Sequence, residues 1–280
     1  MKMKKTIAML LSLLALGASA QEKGRFEVHN YDQFKLHIYY TQDVMDDASF
    51  IIEGKEAVVT LEEPLFKVHA AAFDAYLSGL KKPVEKRIFD YHLGGNHDDL
   101  IVMPEGMPKY ASEGRYAEMM NRFAQQYGDA IVALPQGAKE EVPAGSTQHY
   151  AGVAFAFIKE LGGDSPATNI LIGDKVWYMH SAPVKTHPKQ QQIRSIEAID
   201  TQIAFFTEAL SSGATLFIGS HGQAVTSEVI QFQVDYLKKM KATLEQAKNA
   251  EAFITAMKQA YPNLPGEKDL EGVANALYQK

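Results

Sequence analysis

Asp90-Tyr91-His92-Leu93-Gly94-Gly95-Asn96 and, far downstream, Gly219-Ser220-His221-Gly222 decide how this chain is read. Each follows a short apolar run that has the length of a buried strand, residues 84–89 in the first case and 214–218 in the second. A histidine at a strand end, followed by glycine, can reach into a cleft, because the glycine backbone turns tightly and leaves the space open. Two such turns predict one shared pocket.

Working outward from these turns, the flanking chain alternates strand and helix signals. Residues 26–66 are strand-like, with Lys35-Leu36-His37-Ile38-Tyr39-Tyr40 alternating and the Glu53-Gly54-Lys55 turn joining two apolar runs as a hairpin. Apolar spacing of three and four predicts a helix over 68–80, stopped by Gly79 and Pro83. A further buried strand is expected at 100–103, followed by a polar, Met-rich helical insertion at 108–127. Strands return at 153–158, 169–172 and 175–179, the last ending at His180, with a Gly173-Asp174 turn between the latter two. Residues 193–210 read as an amphipathic helix, and from Thr226 the chain is helical to its end, broken at Tyr261-Pro262 and Pro265-Gly266. No Pro/Ser-rich linker and no internal repeat interrupts the pattern, so residues 21–280 are expected to form one domain with a sizeable core.

The first twenty residues read as a signal peptide: a basic start with Lys2, Lys4 and Lys5, an apolar run over 6–16, and a small-residue Ala18-Ser19-Ala20 cleavage site. That run is shorter than the roughly twenty residues a bilayer span needs, and no later stretch is long and uncharged enough. A periplasmic or secreted protein without a membrane span is therefore expected. Losing the three lysines takes the formal charge from -6 to -9, which argues against a nucleic-acid partner. Cysteine is absent, so neither a thiolate nucleophile nor a thiolate metal site can be built, and any metal must be held by His, Asp or Glu.

The order of elements, together with the His92-Leu93-Gly94-Gly95 turn and the Gly219-Ser220-His221-Gly222 turn, resembles the metallo-β-lactamase superfamily from the hairpin near Phe50 to the strand before His221. The resemblance implies an α/β protein, an αββα sandwich built from two halves. In that family the first metal motif is His-x-His-x-Asp-His, one spacer residue, then Gly-Gly. Setting Gly94-Gly95 on the family's glycines places His92 on the last histidine, Tyr91 on the aspartate, Phe89 on the second histidine and Arg87 on the first. Three of that motif's four ligands are thus absent. Gly163-Asp164-Ser165-Pro166 matches the segment carrying the next family histidine and puts Asp164 in its place, with His149 a looser match. His180 or Ser181 falls at the family's bridging aspartate, and His221 matches the last ligand.

The resemblance therefore implies His92, His180, His221 and Asp164 as ligands of one divalent ion, zinc foremost, in place of a two-zinc centre. Such a remodelled site fits a metal-dependent hydrolase acting on an ester, amide or thioester, with His97 or Asp98 as a proton relay. The same residues are open to a second reading. The histidines then pack against loops, and the altered cleft, or the insertion around Met119-Met120, binds a small molecule or partner protein. Other features read as structural: His187 as a solvated loop residue, His29, His37 and His69 as surface or core residues, and Lys238-Lys239-Met240-Lys241 as a solvated helix face. Ser220 lacks a Gly-x-Ser-x-Gly elbow, and Gly94-Gly95-Asn96 lacks the lysine of a phosphate loop.

Overall fold

The computed structural model describes residues 24–162 and 165–278. The expected signal peptide and Asp164 lie outside the described residues. Strands β1 (Arg25–Asn30), β2 (Lys35–Tyr40), β3 (Ala48–Glu53), β4 (Val58–Leu61), β5 (Val84–Ile88), β6 (Ile101–Pro104) and β7 (Lys139–Val142) form one sheet in that spatial order. The first four are antiparallel and the rest add in parallel. The second sheet contains β8 (Thr147–Tyr150), β9 (Val153–Lys159), β10 (Thr168–Ile172), β11 (Val176–Ser181), β12 (Leu216–His221) and β13 (Val225–Thr226). Only β11 and β12 run parallel in it.

Period-two alternation sorts the side chains into layers. Leu36, Ile38, Phe50, Ile52, Val59, Leu61, Ile88 and Val102 point inward from the first sheet. They meet Val153, Phe155, Phe157, Ile170, Ile172, Val176, Tyr178 and Ile218 from the second. Their strand neighbours face outward. Tyr39, Ile51 and Val58 pack on α1 (Lys67–Gly79), while Phe89, Ile101 and Met103 pack on α2 (Met107–Ser112) and α3 (Gly114–Tyr127). On the far side, Trp177, Met179 and Phe217 pack against α4 (Ile196–Ser211), α5 (Ser227–Gln246), α6 (Ala250–Ala260) and α7 (Glu267–Tyr278). The result is helices on both outer faces of two packed sheets.

Several expectations are refined. The insertion at 108–127 is two helices, interrupted where Glu113 adopts an extended conformation (φ -132°, ψ 161°). The C-terminal helical run breaks once more at 247–249, where Asn249 caps α6 by accepting the Ala252 N–H at 2.9 Å. Strands β7 and β8 were not expected, because Lys139-Glu140-Glu141-Val142 and Thr147-Gln148-His149-Tyr150 are polar edge strands with little apolar signal. His187 is buried, contrary to the solvated reading, with Nδ1 2.5 Å from the Tyr236 hydroxyl. Its polar loop lies against the 265–266 turn, and its N–H donates to the Pro265 carbonyl at 2.8 Å. No helix among the described residues is long and apolar enough to cross a membrane.

Candidate metal centre

The loop after β5 is folded around one carboxylate. Glu62, at the end of β4 with φ +53°, accepts backbone N–H bonds from Asp90 (2.6 Å), Tyr91 (3.0 Å) and His92. Gly94 and Gly95 let this loop close on the chain at 63–64. A Cβ at Gly94 would lie 2.0 Å from the Glu63 carbonyl oxygen, and Gly95, at φ +77°, donates to Pro64 O at 2.9 Å. Asp90 ties the loop to the second sheet, its Oδ1 accepting the Thr168 N–H at 2.7 Å and hydroxyl at 2.8 Å. Burial pushes the Glu62 carboxyl up to about 8, helped by Asp90, and burial pushes Asp90 up to about 7.

His180 and His221 come from neighbouring strand ends. Parallel pairing of β11 and β12 sets Ser181 opposite His221, and Ala182 donates its N–H to the His221 carbonyl at 3.0 Å. Gly219 permits this approach, since a Cβ there would lie 2.3 Å from the Ala182 nitrogen. The three imidazoles then meet: ring centroids are 5.2 Å apart for His92–His180, 4.7 Å for His92–His221 and 5.1 Å for His180–His221. Each offers a nitrogen, and these atoms all lie within 4.8 Å of one another. Burial holds the His92 imidazole well below its usual value, with the two neighbouring rings adding to the effect. Burial, then His221, brings His180 down to about 4. Both rings are therefore neutral near pH 7, the state in which imidazole offers a lone pair to a cation.

The described residues fit a single divalent ion. His180 Nδ1 is buried without a hydrogen-bond partner, and so is Asp47 Oδ1, which stands 3.1 Å from His221 Nδ1 and 3.9 Å from His92 Nδ1. Asp47, on the turn between β2 and β3, carries no motif that marks it in the sequence. Its only signal is the acidic Asp43-Val44-Met45-Asp46-Asp47 turn directly before a buried strand.

A cavity of about 220 Å³ opens over the histidines. Asp47, His92, His180 and His221 form one end, while Leu65, Leu93, Tyr116, Met119, Met120 and Phe123 form an apolar wall supplied largely by α3. Tyr91, at the family's aspartate position, packs against His180 with centroids 4.3 Å apart. A larger depression of about 430 Å³ beside Gly106, Lys109, Arg115 and Pro166 contains none of these histidines.

The other expected residues lie elsewhere. Arg87 and Phe89 point to the outer face of the first sheet, where Arg87 Nη1 pairs with Glu63 Oε1 at 2.6 Å and Phe89 is fully buried among Leu93, Ile101 and Met103. His149 is exposed on edge strand β8, three strands away from β11. Ser181 is exposed beside the trio. His97 turns to Asp74 at 3.0 Å, and Asp98 accepts the Gln136 N–H at 2.8 Å, so neither lines the cavity. Ser220 is buried, with its hydroxyl 2.7 Å from that of Tyr178.

No protein-family model matches the chain, and no curated protein does. Solved structures do. The stereoselective inverting sec-alkylsulfatase Pisa1 from a Pseudomonas species superposes with a TM-score of 0.57 at 17% identity, over 87% of this chain and 48% of that one. This chain thus spans about half the length of that enzyme. A metallo-β-lactamase family protein from Thermus thermophilus superposes with a TM-score of 0.50 at 11% identity, over 90% of both chains. Two facing sheets, helices on both faces and a cleft at the strand ends thus define the metallo-β-lactamase fold. Within that fold the chain is a divergent protein, with Arg87, Phe89 and Tyr91 standing where the resemblance places two histidines and an aspartate.

Proposed function

We propose that this is an exported, metal-dependent hydrolase of small molecules, with one divalent ion, zinc first, held by His92, His180 and His221. The observation that carries the reading is the convergence of three imidazoles, two of them held neutral by burial, in the lining of one cavity. A divalent ion bound there supplies Lewis acidity and a water acidic enough to ionise near neutral pH. The chain's own residues do the rest. The Glu62 carboxyl fixes the backbone that presents His92, and the Tyr91 ring packs against His180. Leu65, Met119, Met120 and Phe123 receive the apolar part of a substrate and exclude water beside the histidines. The cavity, about 220 Å³ and bordered by apolar side chains, suits a small substrate with an apolar part. Export rests on the N-terminal segment, with its basic start, apolar run and Ala18-Ser19-Ala20.

A non-catalytic binding role is the alternative. It is favoured by one observation, that Arg87 and Phe89 have become structural side chains, so among the described residues chemistry that needs two ions has no second site.

Elemental analysis of zinc-supplemented protein is the first test. The expected result is about one equivalent in the wild type and loss of it in His221→Ala. Turnover of short neutral aryl esters by the loaded wild type, absent in His221→Ala, would then establish hydrolysis. A wild type that takes up no metal defeats the proposal. Stoichiometric metal, no turnover and a thermal shift with small apolar ligands would transfer the site to the binding role.

A further inference from the structure

We infer that Asp47 is a metal-coordinating carboxylate of this site, taking from the β2–β3 turn the place left by the loss of an aspartate at Tyr91. The inference rests on the metal reading above and concerns a residue which that reading leaves out.

Asp47 is 9% exposed as a side chain, and its Oδ1 is buried with no hydrogen-bond partner. A buried carboxylate oxygen without a donor is costly, so the site should provide a cation or a donor for it. His221 Nδ1 is 3.1 Å from this oxygen, at ion-pair distance. A separation of this size is also the one found between two ligands of one ion. Donors each about 2.1 Å from a common cation, at tetrahedral or octahedral angles, stand about 3.0–3.4 Å apart. His92 Nδ1, at 3.9 Å from the same oxygen, borders the same space. Asp47 therefore borders the three-histidine set at the His92–His221 edge, where a small shift of its carboxylate would bring it to an ion held there.

The turn is held for this role. Thr41 brackets Asp47, its N–H and hydroxyl donating to the Asp47 carbonyl at 2.9 Å and 3.0 Å while its hydroxyl oxygen accepts the Asp47 N–H at 3.1 Å. An isolated antiparallel bridge joins Asp47 to His221 through the backbone. Asp43 accepts the Met45 N–H at 2.8 Å and lies 3.5 Å from the buried His69 of α1. None of these contacts uses the Asp47 carboxylate, so removing its charge leaves the turn's hydrogen bonds in place. A set of three imidazoles and one carboxylate neutralises half of a divalent charge and suits zinc or iron.

The test is metal affinity measured by competition with a chromophoric chelator, alongside the visible absorption of the cobalt(II)-loaded protein, for wild type, Asp47→Asn, Asp47→Ala and His221→Ala. Circular dichroism and melting of the metal-free forms report whether each variant is folded. The inference expects both Asp47 variants to bind zinc at least about tenfold more weakly and to change the cobalt band, with metal-free melting near that of the wild type. Unchanged affinity and an unchanged cobalt spectrum in Asp47→Asn and Asp47→Ala, while His221→Ala loses metal, would overturn the role of Asp47 and leave the three-histidine site standing. A wild type with no affinity would overturn both together. If Asp47→Ala does not fold, the near-isosteric Asp47→Asn decides.

Discussion

Glu63→Met should unfold this protein more readily than most core substitutions, because Glu63 is half of a buried ion pair. Its carboxylate accepts from Arg87 Nη1 at 2.6 Å and from the Thr60 hydroxyl at 2.7 Å, with side chains 0% and 6% exposed for Glu63 and Arg87. The only other carboxylate at ion-pair distance from Arg87 among the described residues is Asp99, at 3.6 Å and 71% exposed, where water screens it. Removing Glu63 therefore leaves a buried guanidinium that cannot give up its proton. Breaking a buried pair from one side costs about 3–5 kcal/mol. At about 2–4 °C per kcal/mol for a domain of this size, the melting temperature should fall by roughly 10 °C. Arg87→Met should cost less, since burial already pushes the Glu63 carboxyl up, with Arg87 the leading opposing influence, and an unpaired carboxyl can bind a proton. Its penalty should grow with pH as that proton is lost. The double variant, with methionine at both positions, should recover most of the loss, because a matched apolar pair has no charge to strand. Thermal melts of the four proteins, followed by circular dichroism, test the scheme. A Glu63→Met melt within 2 °C of wild type (on the order of 1 kcal/mol or less), or a double variant no more stable than Glu63→Met, would refute it.

Two further outcomes follow from other parts of the fold. The Glu53 carboxyl is held down at about 2 by Lys82, His37 and Lys35, against the opposing effect of burial. A lowered folded value adds stability above the unfolded value of 4.5 that is lost as pH falls toward 2. With screening by solvent at the lysines, this is about 1–2 kcal/mol, so acid titration of Glu53→Gln should show a shallower loss of stability between pH 4.5 and 2 than the wild type. In the cavity, Met120→Trp should fill space beside the histidines. Calorimetric titration should then show tighter selection for the smallest apolar ligands, with zinc affinity unchanged; weaker zinc binding would contradict the separation of apolar wall and metal end.

Much of the sandwich is legible in one dimension because alternation repeats in strand after strand. Leu36, Ile38 and Tyr40 belong to the inner core while Tyr39 packs outside, and Trp177 and Met179 alternate with Val176 and Tyr178 in the same way. The weak points are local. Edge strands β7 and β8 bury few side chains and so leave little pattern. His187 sits in a loop of polar composition, and only the 265–266 turn packed over it removes it from water. Arg87 falls on a metal position by spacing alone, but strand parity sends it outward, to the carboxylate of Glu63.

What the sequence determined by itself was the layering and two of the histidine turns, since period-two alternation and glycine-bounded strand ends are local properties of the chain. How the expected histidines converge, and which further side chains join them, was decided only in three dimensions. His180 reaches it because β11 lies parallel to β12, and Asp47 reaches it because a turn 174 residues before His221 is bridged to that residue's backbone. Burial then sets the chemistry, keeping His92 and His180 neutral and leaving the Asp47 oxygen without a donor, and burial is a property of the packed layers that no short segment of sequence contains.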